Sequence, residues 1–305
     1  MKVIDGVAQS NCGPQVSMRT GQECQTADIE KRGVTALNSC LPRCTSRDSD
    51  GSESSVIVKP IPNRRAWALS WLAAKGKSNA QYLWGMLRGV QLFCKYHSRT
   101  MIHLRGFIEN LGIMNVALGR SNLKDGAIVE CGTWKGGMAA AMIETGGPKR
   151  HYYFFDSFEG LPPAKDIDGP SAKRWQADVT SPTYFDNCSA SLEEFRHTLE
   201  MTGCTPDVLE VHKGFFENTL PTFDCPPVAI LRLDADLYDS TMICLEKFWS
   251  HVMPGGLIVI DDYYAFEGCA RAVHAFLAKQ QASERIFQGP LGLVAFILKH
   301  GLPSN

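Results

Sequence analysis

Long hydrophobic runs are missing from this sequence. Near its front the longest, Ala66 to Ala74, falls far short of the ~20 residues that a membrane-spanning helix needs. The first 30 residues also lack the apolar stretch of a secretory signal, so a soluble, cytoplasmic protein without a membrane partner is expected. Charge of one sign is equally scarce. The formal net charge is −1, which leaves no whole-chain field to attract nucleic acid or acidic lipid. There are 11 cysteines but no CxxC pair and no Cys/His cluster at zinc-finger spacing; Cys40 and Cys44 come nearest. Scattered and odd in number, they read as reduced thiols, with Cys131 and Cys244 lying in apolar segments as small hydrophobes. Also absent are a GxGxxG turn and a Tyr-x-x-x-Lys pair, which weighs against nicotinamide chemistry.

What is there divides into three parts. Residues 1–58 are rich in Ser, Gly, Asp and Thr, show no helical or strand period, and read as a disordered extension. Pro60 and Pro62 mark a boundary. Residues 59–121 turn helical, with Trp67, Trp71, Leu83, Trp84, Leu87, Leu92 and Phe93 at three- and four-residue steps. A second stretch from Met101 to Leu118 repeats the habit through Leu104, Phe107, Ile108, Leu111 and Val116. These helices are expected to cap a core or close a substrate pocket, with Trp67, Trp71 and Trp84 serving as packing residues. They also offer a surface on which a homo-oligomer could form.

From residue 122 to 305 short apolar runs alternate with helices. The runs are Ala127–Cys131, Tyr152–Asp156, Val208–His212, Val228–Asp234, Leu257–Asp261 and Leu293–Leu298. Ser191 and Glu194 make a capping box ahead of Leu192, Phe195 and Leu199, with Gly203 closing that helix; Ser240 opens another. Apolar strands bracketed by helices imply an α/β fold with a mostly parallel, Rossmann-like sheet covered on both faces.

Such sheets bind ligands at the carboxyl ends of their strands. The first run ends in Glu130-Cys131-Gly132-Thr133-Trp134-Lys135-Gly136-Gly137, a glycine turn that opens a helix. An acid at Glu130 would repel a pyrophosphate and suits a ligand with a cationic amino group. Asp156 ends the second run and is placed to accept bonds from ribose hydroxyls, a reading favoured over that of a helix or turn cap. Two further runs end in Leu233-Asp234-Ala235-Asp236 and Ile260-Asp261-Asp262-Tyr263-Tyr264. If those strands are neighbours, three or four carboxylates converge. Without a cation some of them would be forced to take protons, so a hard divalent ion such as Mg²⁺ is expected.

The block from about Asn122 to His300 resembles the TylF/macrocin O-methyltransferase family of class I methyltransferases. The matching stretches are Glu130–Gly137, Asp156–Pro162, Gly214–Pro221, Leu233–Thr241 and Ile260–Tyr264, with Ala235 where the family often has glycine. The resemblance implies a seven-stranded sheet whose fourth strand lies between the first and fifth. It implies S-adenosylmethionine held by Glu130, Gly132, Thr133, Trp134, Gly136, Asp156, Ser157, Gly214, Phe215 and Phe216. It implies Asp234, Asp261 and Asp262 as ligands of Mg²⁺ or another divalent cation, and Asp236 as the general base. The implied acceptor is a small molecule, a glycoside or similar polyol.

A nicotinamide-dependent oxidoreductase would explain the glycine turn and Asp156 but leave four aspartates idle. A non-catalytic cofactor-binding relative would have no reason to keep a costly acidic cluster. Specificity is expected in the helical front and in the polar loop Pro163–Asn187, with Trp175 and Asp178 as contacts. Lys135 reads as solvated.

Overall fold

The computed structural model describes residues 2–5 and 77–300. The chain begins with a strand, β1 (Lys2–Asp5), followed after the undescribed stretch by helices α1 (Lys77–Tyr96) and α2 (Leu104–Leu118). An alternating series then runs β2 (Ala127–Cys131), α3 (Gly137–Gly146), β3 (Tyr152–Asp156), α4 (Gly169–Ala177), α5 (Leu192–Glu200) and β4 (Leu209–Lys213). It continues with β5 (Val228–Leu233), α6 (Tyr238–Phe248), β6 (Val252–Ile260), α7 (Glu267–Lys279), β7 (Ile286–Gln288) and β8 (Ala295–Leu298).

One sheet joins all the strands in the order β1-β4-β3-β2-β5-β6-β8-β7. Every pairing from β1 to β6 is parallel, and β8 runs antiparallel to both β6 and β7. The Rossmann-like sheet is therefore present, with the strand bearing Asp234 between the glycine-turn strand and the strand leading to Asp261. An eighth strand, β1, extends it at one edge. Those four residues depart from the disordered extension expected for 1–58; Trp67 and Trp71 lie outside the described residues.

Residue parity along the strands sorts the core into two faces. Ile128, Phe154, Val211, Ile230 and Val259 pack with Phe107 and Leu111 of α2, Met142 of α3 and Phe195 of α5. Val129, Phe155, Leu231, Ile258 and Ile297 pack with Leu245 and Phe248 of α6 and Val273 and Phe276 of α7. Strands β2 and β5 are buried on both faces along their whole length, which is why they read as apolar runs interrupted only by Glu130 and Arg232. The front helices cover one face of this core through Tyr82, Leu92 and Tyr96 of α1. Trp84, expected as a packing residue, is instead 67% exposed, and Leu83 and Leu87 on the same helix are exposed too.

The capping box of α5 forms as expected: Ser191 Oγ accepts from the Glu194 amide at 3.1 Å while Glu194 accepts from the Ser191 amide at 3.2 Å. Helix α6 starts at Tyr238, earlier than the Ser240 signal suggests, with Leu237 as its cap. The segment expected as the loop Pro163–Asn187 contains α4, which Pro170 helps to start in the first turn.

Candidate active site

The strand order reverses between β2 and β5: from β2 the chain builds β3 and β4 on one side, then crosses to β5 and β6 on the other. A crevice opens at that switch point beyond the carboxyl ends of the strands. It holds a cavity of about 340 Å³ whose wall includes Glu130, Gly132, Thr133, Trp134, Asp156, Ser157, Phe215 and Phe216. Asp234, Asp236, Asp261 and Asp262 share the same wall. Twelve of the fourteen residues expected to carry the site therefore meet in one place. Gly136 and Gly214 do not line it. Gly136 is the left-handed cap of α3, and a Cβ there would press on the Phe195 ring at 2.7 Å, so it is a packing glycine.

Gly132 cannot be replaced without movement. Its φ is +84°, and a Cβ would lie 1.8 Å from the carbonyl oxygen of Asp234, because the β2 and β5 backbones close on each other as they leave the sheet. Asp156 organises the same turn. Its Oδ2 accepts the amides of Thr133 at 2.7 Å and Trp134 at 2.9 Å, and its Oδ1 accepts the Phe158 amide at 2.7 Å. Asp156 thus caps the turn and also lines the cavity. Ser157 likewise donates to the Gly160 carbonyl and accepts the Glu159 amide, shaping the bend at the end of β3.

The acids form the other wall. Carboxylate oxygens of Asp234, Asp236 and Asp262 lie within 4.8 Å of one another. Asp236 has a left-handed φ of +55°, held there as its amide donates to Asp262 Oδ2 at 3.1 Å. Burial, then the neighbouring carboxylates, pushes the carboxyls of Asp236 and Asp262 well above the usual range. Burial also raises Asp234 to about 6, with Arg232 pulling the other way. Asp261, expected as a metal ligand, stands apart from this trio. It accepts from Asn110 Nδ2 at 3.1 Å and pairs with Arg232 at 2.9 Å, and the third carboxylate of the clustered trio is that of Asp236.

Arg232 is the main charged residue of the cavity wall missing from the sequence reading. It is fully buried, and its Nη1 donates to Glu130 Oε1 at 2.7 Å and Asp234 Oδ2 at 2.9 Å. The signal was present: an arginine inside the apolar run Val228–Leu233 must find acids wherever that run is buried. Glu130 itself is fully buried, and burial pushes its carboxyl up to about 8 against the pull of Arg232. Its Oε2 has no hydrogen-bond partner among the described residues.

Aromatic side chains close the remaining side. Trp134 donates its indole N–H to the Ser189 carbonyl at 2.9 Å and packs edge-on with Phe185. Trp175 donates to the Thr183 carbonyl at 2.9 Å and packs edge-on with Phe266. All four rings line the cavity, whereas Asp178, expected beside Trp175, ends α4 away from it. Lys135 is not merely solvated: it pairs with Glu194 at 2.9 Å and lies over the Trp134 ring.

The donor set fits a hard divalent cation. Glu130, Asp234, Asp236, Asp261 and Asp262 offer five carboxylates, and their described ion pairs supply one balancing cation, Arg232. Oxygen ligands at this density suit Mg²⁺. The glycine turn and the unpartnered Glu130 oxygen fit a ligand bearing a cationic amino group close to the backbone.

A model of the macrocin-O-methyltransferase (TylF) family matches residues 99–290. The 8-demethyl-8-(2,3-dimethoxy-alpha-L-rhamnosyl)-tetracenomycin-C 4'-O-methyltransferase of Streptomyces olivaceus is 33% identical over 165 residues, 53% of this chain and 61% of that protein. The mycinamicin III 3''-O-methyltransferase of Micromonospora griseorubida is 29% identical over 180 residues, 55% of this chain and 68% of that protein. Among solved structures, the O-methyltransferase NovP superposes with a TM-score of 0.54 at 24% identity, covering 67% of this chain and 83% of that one. The likeness to NovP is one of fold. The first of these alignments spans less than two thirds of its relative's length.

Proposed function

The chain belongs to the macrocin-O-methyltransferase (TylF) family, and from that premise we propose that it transfers a methyl group from S-adenosylmethionine to a hydroxyl of a glycosylated small molecule. One observation carries the reading: an acid trio of metal-binding geometry shares a cavity with a glycine turn at the sheet's switch point. The relatives named above are O-methyltransferases by their names, one of them of a rhamnosyl-bearing tetracenomycin, which supports a sugar or polyol acceptor here.

The residues divide the labour. Glu130 would meet the cofactor's amino group with its unpartnered oxygen. Gly132, Thr133 and Trp134 would let the cofactor approach the backbone, with Asp156 holding that turn and offering its remaining acceptor capacity to ribose hydroxyls. Phe215 and Phe216 would border the adenine. When bound, the cofactor supplies an electrophilic methyl on a sulfonium.

Asp234, Asp236 and Asp262 would hold a divalent cation, which when bound supplies Lewis acidity toward an acceptor hydroxyl. Asp236 also suits the role of proton acceptor. It lines the cavity, and its strained backbone fixes where the carboxylate points. Trp134, Phe185, Trp175 and Phe266 would exclude water and give the acceptor an apolar seat. Holding acceptor and methyl donor in line would provide much of the acceleration.

The test is calorimetric titration with S-adenosylmethionine, with and without Mg²⁺, on the wild type and on Asp262→Asn and Asp236→Asn. Both variants are expected to bind the cofactor. Methyl transfer to a pool of glycosides should fall at least a hundredfold in each, and in the wild type treated with EDTA. Wild type that binds no cofactor would remove the methyltransferase reading; transfer that survives EDTA would remove the metal from it.

A further inference from the structure

Arg232 has no part in the roles assigned above, yet it occupies the centre of the site. It lies directly beside Glu130 in the β2–β5 register, with its side chain fully buried. Nη1 reaches Glu130 at 2.7 Å and Asp234 at 2.9 Å, and Nη2 lies 2.9 Å from Asp261. One guanidinium therefore touches acids carried by three neighbouring strands or their ends. Glu130 belongs to the side proposed for the cofactor. Asp234 belongs to the acid trio, and Asp261 flanks it.

We propose that Arg232 is a positioning residue that acts on the two ligand sites in opposite senses, fixing Glu130 for a cationic amino group while holding Asp234 back from a divalent cation. The proposal rests on the methyltransferase reading. For Glu130 the logic is orientation. Its Oε1 is held by Arg232, its Oε2 has no partner among the described residues, and Glu130 lines the cavity, so the guanidinium fixes the rotamer in which that carboxylate meets the site. A guanidinium is suited to this because it is planar, permanently charged and able to donate in several directions at once.

For Asp234 the logic is competition. Arg232 occupies Oδ2 of one of the three acids that would hold the cation. It also places a positive charge within a few ångströms of any ion bound there, a repulsion felt strongly in a buried setting. Arg232 thus keeps the acidic cluster assembled before a cation arrives and moderates how tightly the cation is then held.

The experiment is calorimetric titration of the full-length chain with S-adenosylhomocysteine and, separately, with Mn²⁺, on wild type, Arg232→Met and Arg232→Lys. Arg232→Met should bind S-adenosylhomocysteine about tenfold more weakly, or worse, and Mn²⁺ about threefold more tightly. Arg232→Lys keeps the charge but loses the fork, so it should restore Mn²⁺ affinity toward wild type and recover only part of the S-adenosylhomocysteine affinity. A variant that merely loosens the fold would weaken both. Parallel weakening, or no change in either, overturns the proposal. Should Arg232→Met fail to melt cooperatively, Arg232→Lys decides alone, and unchanged S-adenosylhomocysteine affinity overturns it. Wild type that binds neither probe removes the methyltransferase reading and this proposal together. Wild type that binds both, beside indifferent variants, removes only the positioning role.

Discussion

Each acid of the cavity is shaped by the atom it touches. Asp261 and Asp262 are adjacent in sequence, yet one is tied to Arg232 and Asn110 while the other joins Asp234 and Asp236. Chain neighbours leaving a strand point to different sides, so a pair of acids divides its work. Gly132 makes the sharpest prediction at this scale. Gly132→Ala adds a Cβ 1.8 Å from a backbone oxygen at a left-handed φ. Backbone strain alone should cost roughly 1–3 kcal/mol, and the forced separation of β2 from β5 should abolish cofactor binding. A thermal melt and a cofactor titration check it; wild-type behaviour in both would show that the turn is not the close approach described.

Elements carry their own signals, and some are strained. The four residues Phe185–Cys188 all have φ between +49° and +59°, a left-handed turn of ordinary L-residues beside the cavity. Asp186 is exposed and makes no described side-chain hydrogen bond, so Asp186→Gly should relieve strain and leave stability unchanged or raised by up to about 1 kcal/mol. A loss of stability in chemical denaturation would mean that its side chain holds the turn. Helix α5 behaves in the opposite way. Removing its cap with Ser191→Ala should lower stability by about 1 kcal/mol, read as an earlier denaturation midpoint with an unchanged slope.

For the whole molecule, the buried acids make stability depend on pH and on divalent cations. Burial raises Asp234 to about 6 and Glu130 to about 8 in the fold, against about 4 in the unfolded chain. Acids raised by folding favour the fold at low pH, and that contribution is lost as pH rises through their folded values. In EDTA, melting temperature should therefore fall between about pH 5 and pH 8. Millimolar Mg²⁺ should restore it at pH 8 much more than at pH 5, because only ionised carboxylates bind the ion. Equal Mg²⁺ effects at both pH values would count against a carboxylate-held cation.

Much of this protein was determined by local sequence. Strands β2 and β3 match their mostly apolar runs residue for residue; β2 is buried at every position and β3 at Tyr152, Phe154 and Phe155. The capping box of α5 and the glycine turn after β2 were equally legible, since both rest on the backbone needs of a few adjacent residues. Tertiary structure decided what depends on residues distant in the chain. The short strand β7 and the edge strand β1 carry little pattern of their own and form through their partners. The helix α4 emerged from a stretch whose polarity reads as loop. The acids could be found one by one, but which of them converge depends on the β2-β5-β6 order. The separation of Asp261 from Asp236 depends on Arg232, whose partners lie on neighbouring strands. Charge balance in a buried cluster is a property of what packs together, and no single stretch of sequence contains it.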